Sequence, residues 1–138
     1  MEPDYFLAHL SASSVYLEKG MFSEAMGEAR RAREIAGGRG TQAEAVLGYA
    51  LARSGKKADA RAILRGFLES PPERYVSPYN VALVYNGLGE RDEALVWLER
   101  AYAERKQGMI FLKVDAKWEN LRSDARFQDL QRRVGLPL

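Results

Sequence analysis

Three phrases of the sequence, YLEKGMFSEAM, LARSGKKADAR and YNGLGERDEAL, align on Gly20, Gly55 and Gly89, which are 35 and 34 residues apart. A unit recurring at this interval points to a stacked helical array, in which each unit buries its apolar face only against a neighbour. An alanine follows each glycine by five residues (Ala25, Ala60, Ala94), and a small residue precedes it by seven (Ser13, Gly48, Ala82). Between them, four before each glycine, stand Tyr16, Leu51 and Tyr85. The glycine permits the left-handed backbone that ends a helix. The alternation of large and small side chains lets antiparallel helices interdigitate.

The segments between the glycines are helical in pattern. FSEAMGEARRAREIA sets Phe22, Ala25, Met26, Ala29, Ala32 and Ile35 or Ala36 along one stripe, with Glu24, Glu28, Arg30, Arg31 and Glu34 largely outside it. Thr41 and Ser77 read as N-caps, Pro78 takes the first helical position, and Pro71-Pro72 closes the helix before. The pattern predicts helices near 4–19, 22–36, 41–54, 58–69, 77–88 and 91–106. No run alternates with period two for long enough to make a strand.

This period, with its small residue, tyrosine, glycine, alanine and trailing Pro72, resembles the tetratricopeptide repeat. Three repeats, near 6–39, 41–74 and 75–108, and a cap near 109–138 then account for one domain over 1–138. The resemblance implies an all-α, right-handed superhelix of three helix pairs closed by short C-terminal helices. Its last sixty or so residues also resemble the ending of bacterial tetratricopeptide arrays joined to kinase or transcription-regulator modules, with Ala116 and Ala125 where that ending often has proline.

The ending contains a doubled phrase, Asp115-Ala116-Lys117-Trp118-x-Asn120-Leu121 and Asp124-Ala125-Arg126-Phe127-x-Asp129-Leu130. Acid-base chemistry needs carboxylates converging on a pocket, which spacing alone does not supply. Each aspartate reads instead as a helix N-cap, with Trp118 and Leu121, or Phe127 and Leu130, on one side of a short helix. Met109, Ile110, Phe111, Leu112, Val114 and Val134 add to a lid for the apolar stripe that the last repeat would otherwise expose. The eight basic residues of the tail face four acidic ones, Asp115, Glu119, Asp124 and Asp129, and read as a solvated, salt-bridged rim.

Composition narrows the chemistry. Cysteine is absent and His9 is the only histidine, which removes thiolate nucleophiles and the common zinc frameworks. No catalytic residue, metal or cofactor is expected. The net charge of +2 gives no argument for nucleic acid. The N-terminus lacks a signal peptide pattern and no apolar run is long enough to span a membrane, so the expected location is cytoplasmic.

The family's ligand-facing register falls here on Leu10, Ser14, Leu17, Tyr49, Arg53, Tyr79, Leu83 and Asn86, with Asn80 adjacent. The resemblance implies a non-catalytic scaffold whose groove takes a peptide or partner-protein segment; alternatively some of these side chains fill inter-helix space or meet the tail. Leu10 and Ser14 replace two members of the set that holds a C-terminal carboxylate in some relatives, so that mode is not expected. A second reading is a regulatory or sensory C-terminal domain of a bacterial signalling enzyme or regulator, binding a small ligand. DYFLAHL opens the first repeat without a polar capping helix, so a longer array or self-association through that end is also expected.

Overall fold

The computed structural model describes residues 3–37, 40–104 and 116–134. Among them the chain is all-helical, with no strand. The elements are α1 (Pro3–Glu18), α2 (Phe22–Ala36), α3 (Thr41–Arg53), α4 (Lys57–Leu68), α5 (Pro78–Gly87), α6 (Arg91–Glu104), a 3₁₀ helix η1 (Ala116–Leu121) and α7 (Ala125–Val134). Consecutive helices pack as α1 on α2, α3 on α4 and α5 on α6, while α3 bridges back to α2 and forward to α5. Among the described residues no helix is long and apolar enough to cross a membrane.

The three phased glycines build one turn three times. Gly20, Gly55 and Gly89 all have positive φ (74°, 94° and 79°). The following amides of Met21, Lys56 and Glu90 donate back to the carbonyls of Tyr16, Leu51 and Tyr85, at 2.9, 2.8 and 3.0 Å. This six-residue closure satisfies a carbonyl that the helix end leaves open, and it turns the chain into the next helix. The alanines five residues on are fully buried, as are Ser13 and Ala82, with Gly48 buried at the equivalent place. Ser13 Oγ donates to the Ala25 carbonyl at 2.7 Å, so the small position and the alanine meet directly.

Burial follows the pattern of each helix. In α4 only Ala60, Leu64 and Phe67 are buried, a single stripe at spacings of four and three. Helices α3 and α5 lie between neighbours, and most of their residues are buried, including Val46, Leu47, Val81 and Val84. Helix α1 is also apolar nearly all round, yet Tyr5, Leu7 and Val15 remain exposed.

The start of α3 departs from expectation. Thr41 is already helical, and Gly40 holds the N-cap position with no side-chain hydrogen bond. The chain leaves α2 so tightly that a Cβ at Gly40 would lie 3.2 Å from Ala36 Cβ and 3.3 Å from the Gly37 carbonyl. A hydroxyl cap therefore cannot occupy that residue without displacing the turn. Ser77 does cap α5, accepting the Tyr79 amide at 3.2 Å, with Pro78 at the first helical position. His9 is half-buried and paired with Glu28.

In the tail, Asp124 caps α7 by accepting the Arg126 amide at 2.8 Å, and it also accepts from the Arg126 guanidinium. Asp115 and the apolar residues Met109 to Val114 lie outside the described residues. Of the rim's basic residues, Arg122 pairs with Glu119, Arg126 with Asp92 and Asp124, Arg132 with Asp129, and Arg133 with Glu99 and Asp129, while Arg105, Lys106 and Lys113 lie outside the described residues. The side-chain and then the backbone hydrogen bonds of Arg126 lower the Asp124 pKa to about 2. A carboxyl whose pKa is depressed by folding stabilises above its unfolded value, near 4, and loses that contribution as pH falls towards 2. Asp124→Asn is expected to lower the urea midpoint at pH 7 while sparing the neutral part of the cap. The mutant and wild-type midpoints should converge between pH 4 and 2; a gap that persists at pH 2 would show that the charge is not the source.

Candidate functional site

The residues expected to line the groove come from α1, α3 and α5, and four of them meet on the chain's own segment 116–121. Asn86, buried in α5, donates from Nδ2 to the Lys117 carbonyl at 2.8 Å. Its amide also pairs reciprocally with that of Asn120, at 3.1 and 2.8 Å. Tyr49, buried in α3, directs its hydroxyl at the same Lys117 carbonyl at 3.4 Å, a long contact beside the Asn86 bond. Tyr79 accepts the indole Nε1–H of Trp118 at 2.8 Å, and the two rings meet edge-to-face with centroids 5.4 Å apart. From α1, Ser14 Oγ accepts Lys117 Nζ at 2.8 Å.

The site therefore holds a short piece of polypeptide by its backbone and by three side chains, those of Lys117, Trp118 and Asn120. One carbonyl is gripped by Asn86, an aromatic ring is seated with its N–H satisfied, and a lysine reaches back across the row to α1. Trp118 is fully buried and stacks on the other side against Phe127 of α7, at 6.5 Å between centroids. Lys117 is itself buried, which is tolerable for an ammonium only where polar partners replace water.

The remaining expected residues divide. Leu10 and Leu83 are core side chains, and Leu17 packs at the core's edge. Asn80 is buried in α5. Arg53 is exposed at the end of α3, where it donates to the Tyr49 hydroxyl at 2.7 Å and lies over the Tyr49 ring. Tyr49 Oη thus accepts from this cation while its own O–H points to the Lys117 carbonyl, which fixes the ring's direction. None of the nine lines the open cleft of about 270 Å³ formed by Phe67, Val76, Val81 and Trp97 with the turn at Ser70–Tyr75.

Lys117, Trp118 and Asn120 are the site residues that the sequence did not identify as such. Their phrase reads as a lid for the last apolar stripe, whereas in the fold it reaches three helices. The signal was present in the alternation Lys-Trp-x-Asn, which puts polar groups on both sides of the buried ring. Comparison with protein-family models, with curated proteins and with solved structures gave no match.

Proposed function

We propose that the domain is a non-catalytic interaction module, a three-repeat array of the tetratricopeptide type, that binds an extended polypeptide along the row Ser14, Tyr49, Tyr79 and Asn86. Residues 116–121 act as its internal ligand, holding the row until a competing segment takes their place. The observation that carries this reading is the Lys117 carbonyl, gripped by Asn86 while the adjacent indole docks on Tyr79. A backbone carbonyl is common to every peptide, so this grip suits recognition of main chain, and the aromatic seat supplies selectivity. Partners would then be protein segments carrying an aromatic next to a basic residue.

The internal segment competes at an effective concentration on the order of mM because it is tethered. A peptide in trans gains access only after the tether's hold is weakened. Trp118→Leu retains an apolar plug but removes the indole N–H. A fluorescent peptide with the sequence of residues 114–123 is expected to bind the Trp118→Leu chain with micromolar affinity, and the wild-type chain far more weakly. Adding Asn86→Ala should weaken that binding at least tenfold, since it removes the bond to the Lys117 carbonyl and the reciprocal pair with the Asn120 amide. Absence of binding by a Trp118→Leu chain whose circular dichroism is unchanged would reject the proposal.

A further inference from the structure

On the reading that the row Ser14, Tyr49, Tyr79 and Asn86 is a peptide site, we infer that its partners carry a tryptophan with an asparagine two residues later. The row rejects the same phrase written with phenylalanine and aspartate. The chain itself contains both forms. Residues 115–121 read Asp-Ala-Lys-Trp-Glu-Asn-Leu, and residues 124–130 read Asp-Ala-Arg-Phe-Gln-Asp-Leu. Four positions differ. Three of them, Lys117, Trp118 and Asn120, carry the side chains that meet the row, while the fourth, Glu119, is exposed and pairs with Arg122. The leucine common to both phrases, Leu121 or Leu130, is buried in each. What the phrases share therefore serves packing, and where they part is where the first touches the row. In the second phrase the same positions face other partners. Arg126 pairs with Asp92 and Asp124, and Asp129 pairs with Arg132 and Arg133 on the exposed rim, while Phe127 stacks on the far side of Trp118.

Asparagine is selected by the hydrogen-bonding capacity of Asn86, whose carboxamide has two N–H donors and one carbonyl acceptor. Lys117 and Asn120 are three apart in the 3₁₀ helix η1, which eclipses i and i+3. One Asn86 side chain thus reaches the carbonyl of the first and the carboxamide of the second. The Lys117 carbonyl accepts one Nδ2 proton at 2.8 Å, which fixes the orientation of the Asn86 carboxamide. The second Nδ2 proton then goes to Asn120 Oδ1 at 3.1 Å, and Asn86 Oδ1 accepts from Asn120 Nδ2 at 2.8 Å. An aspartate in the place of Asn120 would keep the contact with Nδ2 but set its other oxygen against Asn86 Oδ1. Acceptor would then face acceptor, with a negative charge beside a buried amide.

Tryptophan is selected by Tyr79. The indole Nε1–H donates to Tyr79 Oη at 2.8 Å, and Trp118 is fully buried. Phenylalanine fills less of this seat and deprives the hydroxyl of that donor. Lys117 Nζ donates to Ser14 Oγ at 2.8 Å, a contact open to an arginine as well, so the basic residue discriminates least.

The test is fluorescence-anisotropy competition on the Trp118→Leu chain, with the peptide of residues 114–123 as reference. The same peptide carrying Asn120→Asp should bind at least tenfold more weakly than the reference, and the one carrying Trp118→Phe about tenfold more weakly. The peptide of residues 123–132, which contains the second phrase, should lose both contacts and compete about a hundredfold more weakly. With Tyr79→Phe added to the chain, the preference for Trp over Phe should fall to about threefold or less, because the acceptor is gone. Trp118→Phe, which keeps an aromatic plug and loses the same N–H, is the receptor if Trp118→Leu disturbs the fold. Failure of the reference peptide to bind the folded receptor overturns the peptide site and the inference with it. Binding of the reference alongside equal binding of the Asn120→Asp and Trp118→Phe peptides, or of the 123–132 peptide, overturns the selectivity and leaves the peptide site standing. A full preference for Trp in the Tyr79→Phe chain would overturn the assignment of that selectivity to the indole N–H.

Discussion

Replacing Trp118 and Phe127 together by alanine is expected to lower the melting temperature by roughly 15 °C and to bind a hydrophobic dye at temperatures where the wild-type chain does not. Both side chains are fully buried, and they stack on each other at 6.5 Å between centroids. Truncating a buried Trp or Phe to alanine costs about 3–5 kcal/mol, from lost transfer energy and from the cavity left behind. Because the two rings share a contact, the double change should cost less than the sum of the single ones. Even so it removes a large part of the roughly 5–15 kcal/mol that holds a domain of this kind together. The indole adds a further loss, since Tyr79 gives up the donor that satisfies its hydroxyl. Differential scanning calorimetry of the double variant, with each single variant beside it, checks both the size and the shortfall from additivity. A double variant that melts with the wild type would show that the tail is not part of the core.

The same two residues show how far the sequence could be read. Their spacing from Asp115 and Asp124 announced short helices with one buried side, and Asp124, Phe127, Trp118 and Leu121 conform. The six long helices and their three turns were legible because glycine, alanine and the apolar stripe each mark the same period. What an amphipathic pattern cannot encode is the identity of the surface it will meet. Trp118 touches Tyr79, 39 residues away, and Lys117 touches Ser14, 103 residues away. Those distances lie outside any local pattern, so the row expected to face a partner turned out to hold the tail. The Gly40 cap was missed for a related reason. Thr41 is a better capping residue by type, but the cap position falls on Gly40, where a Cβ would crowd Ala36 and the Gly37 carbonyl at 3.2 and 3.3 Å.

Gly87 is the position where a small change should do most harm to both fold and site. It ends α5 against α3, and a Cβ added to it would lie 3.0 Å from Tyr49 Cα, 3.1 Å from the Tyr49 carbonyl and 3.3 Å from Ala52 Cβ. Two of those three atoms are backbone, which cannot rotate aside as a side chain does. Alanine would gain up to about 1 kcal/mol in helix propensity, yet overpacking a close contact costs about 1–3 kcal/mol, so the steric effect wins. Valine adds two methyl groups to the same clash, and Gly87→Val is expected to destabilise the chain by about 3 kcal/mol or more. Gly27, inside α2 with nothing near its missing Cβ, supplies the control: Gly27→Ala should be neutral or stabilising by up to about 1 kcal/mol. The period gave no notice of Gly87, because the equivalent residues of the other units are Glu18 and Arg53. Its role arises from one crossing, where Gly48 of α3 likewise faces Val84 of α5. Forcing that crossing apart moves the backbone of Tyr49 away from Asn86, and the two no longer converge on the Lys117 carbonyl. Hydrogen exchange should therefore show faster opening of residues 117–121 in Gly87→Ala, measured under conditions where the α1–α2 amides still exchange at the wild-type rate. Equal protection of 117–121 in the two proteins would mean that the tail does not depend on the α3–α5 spacing for its seat.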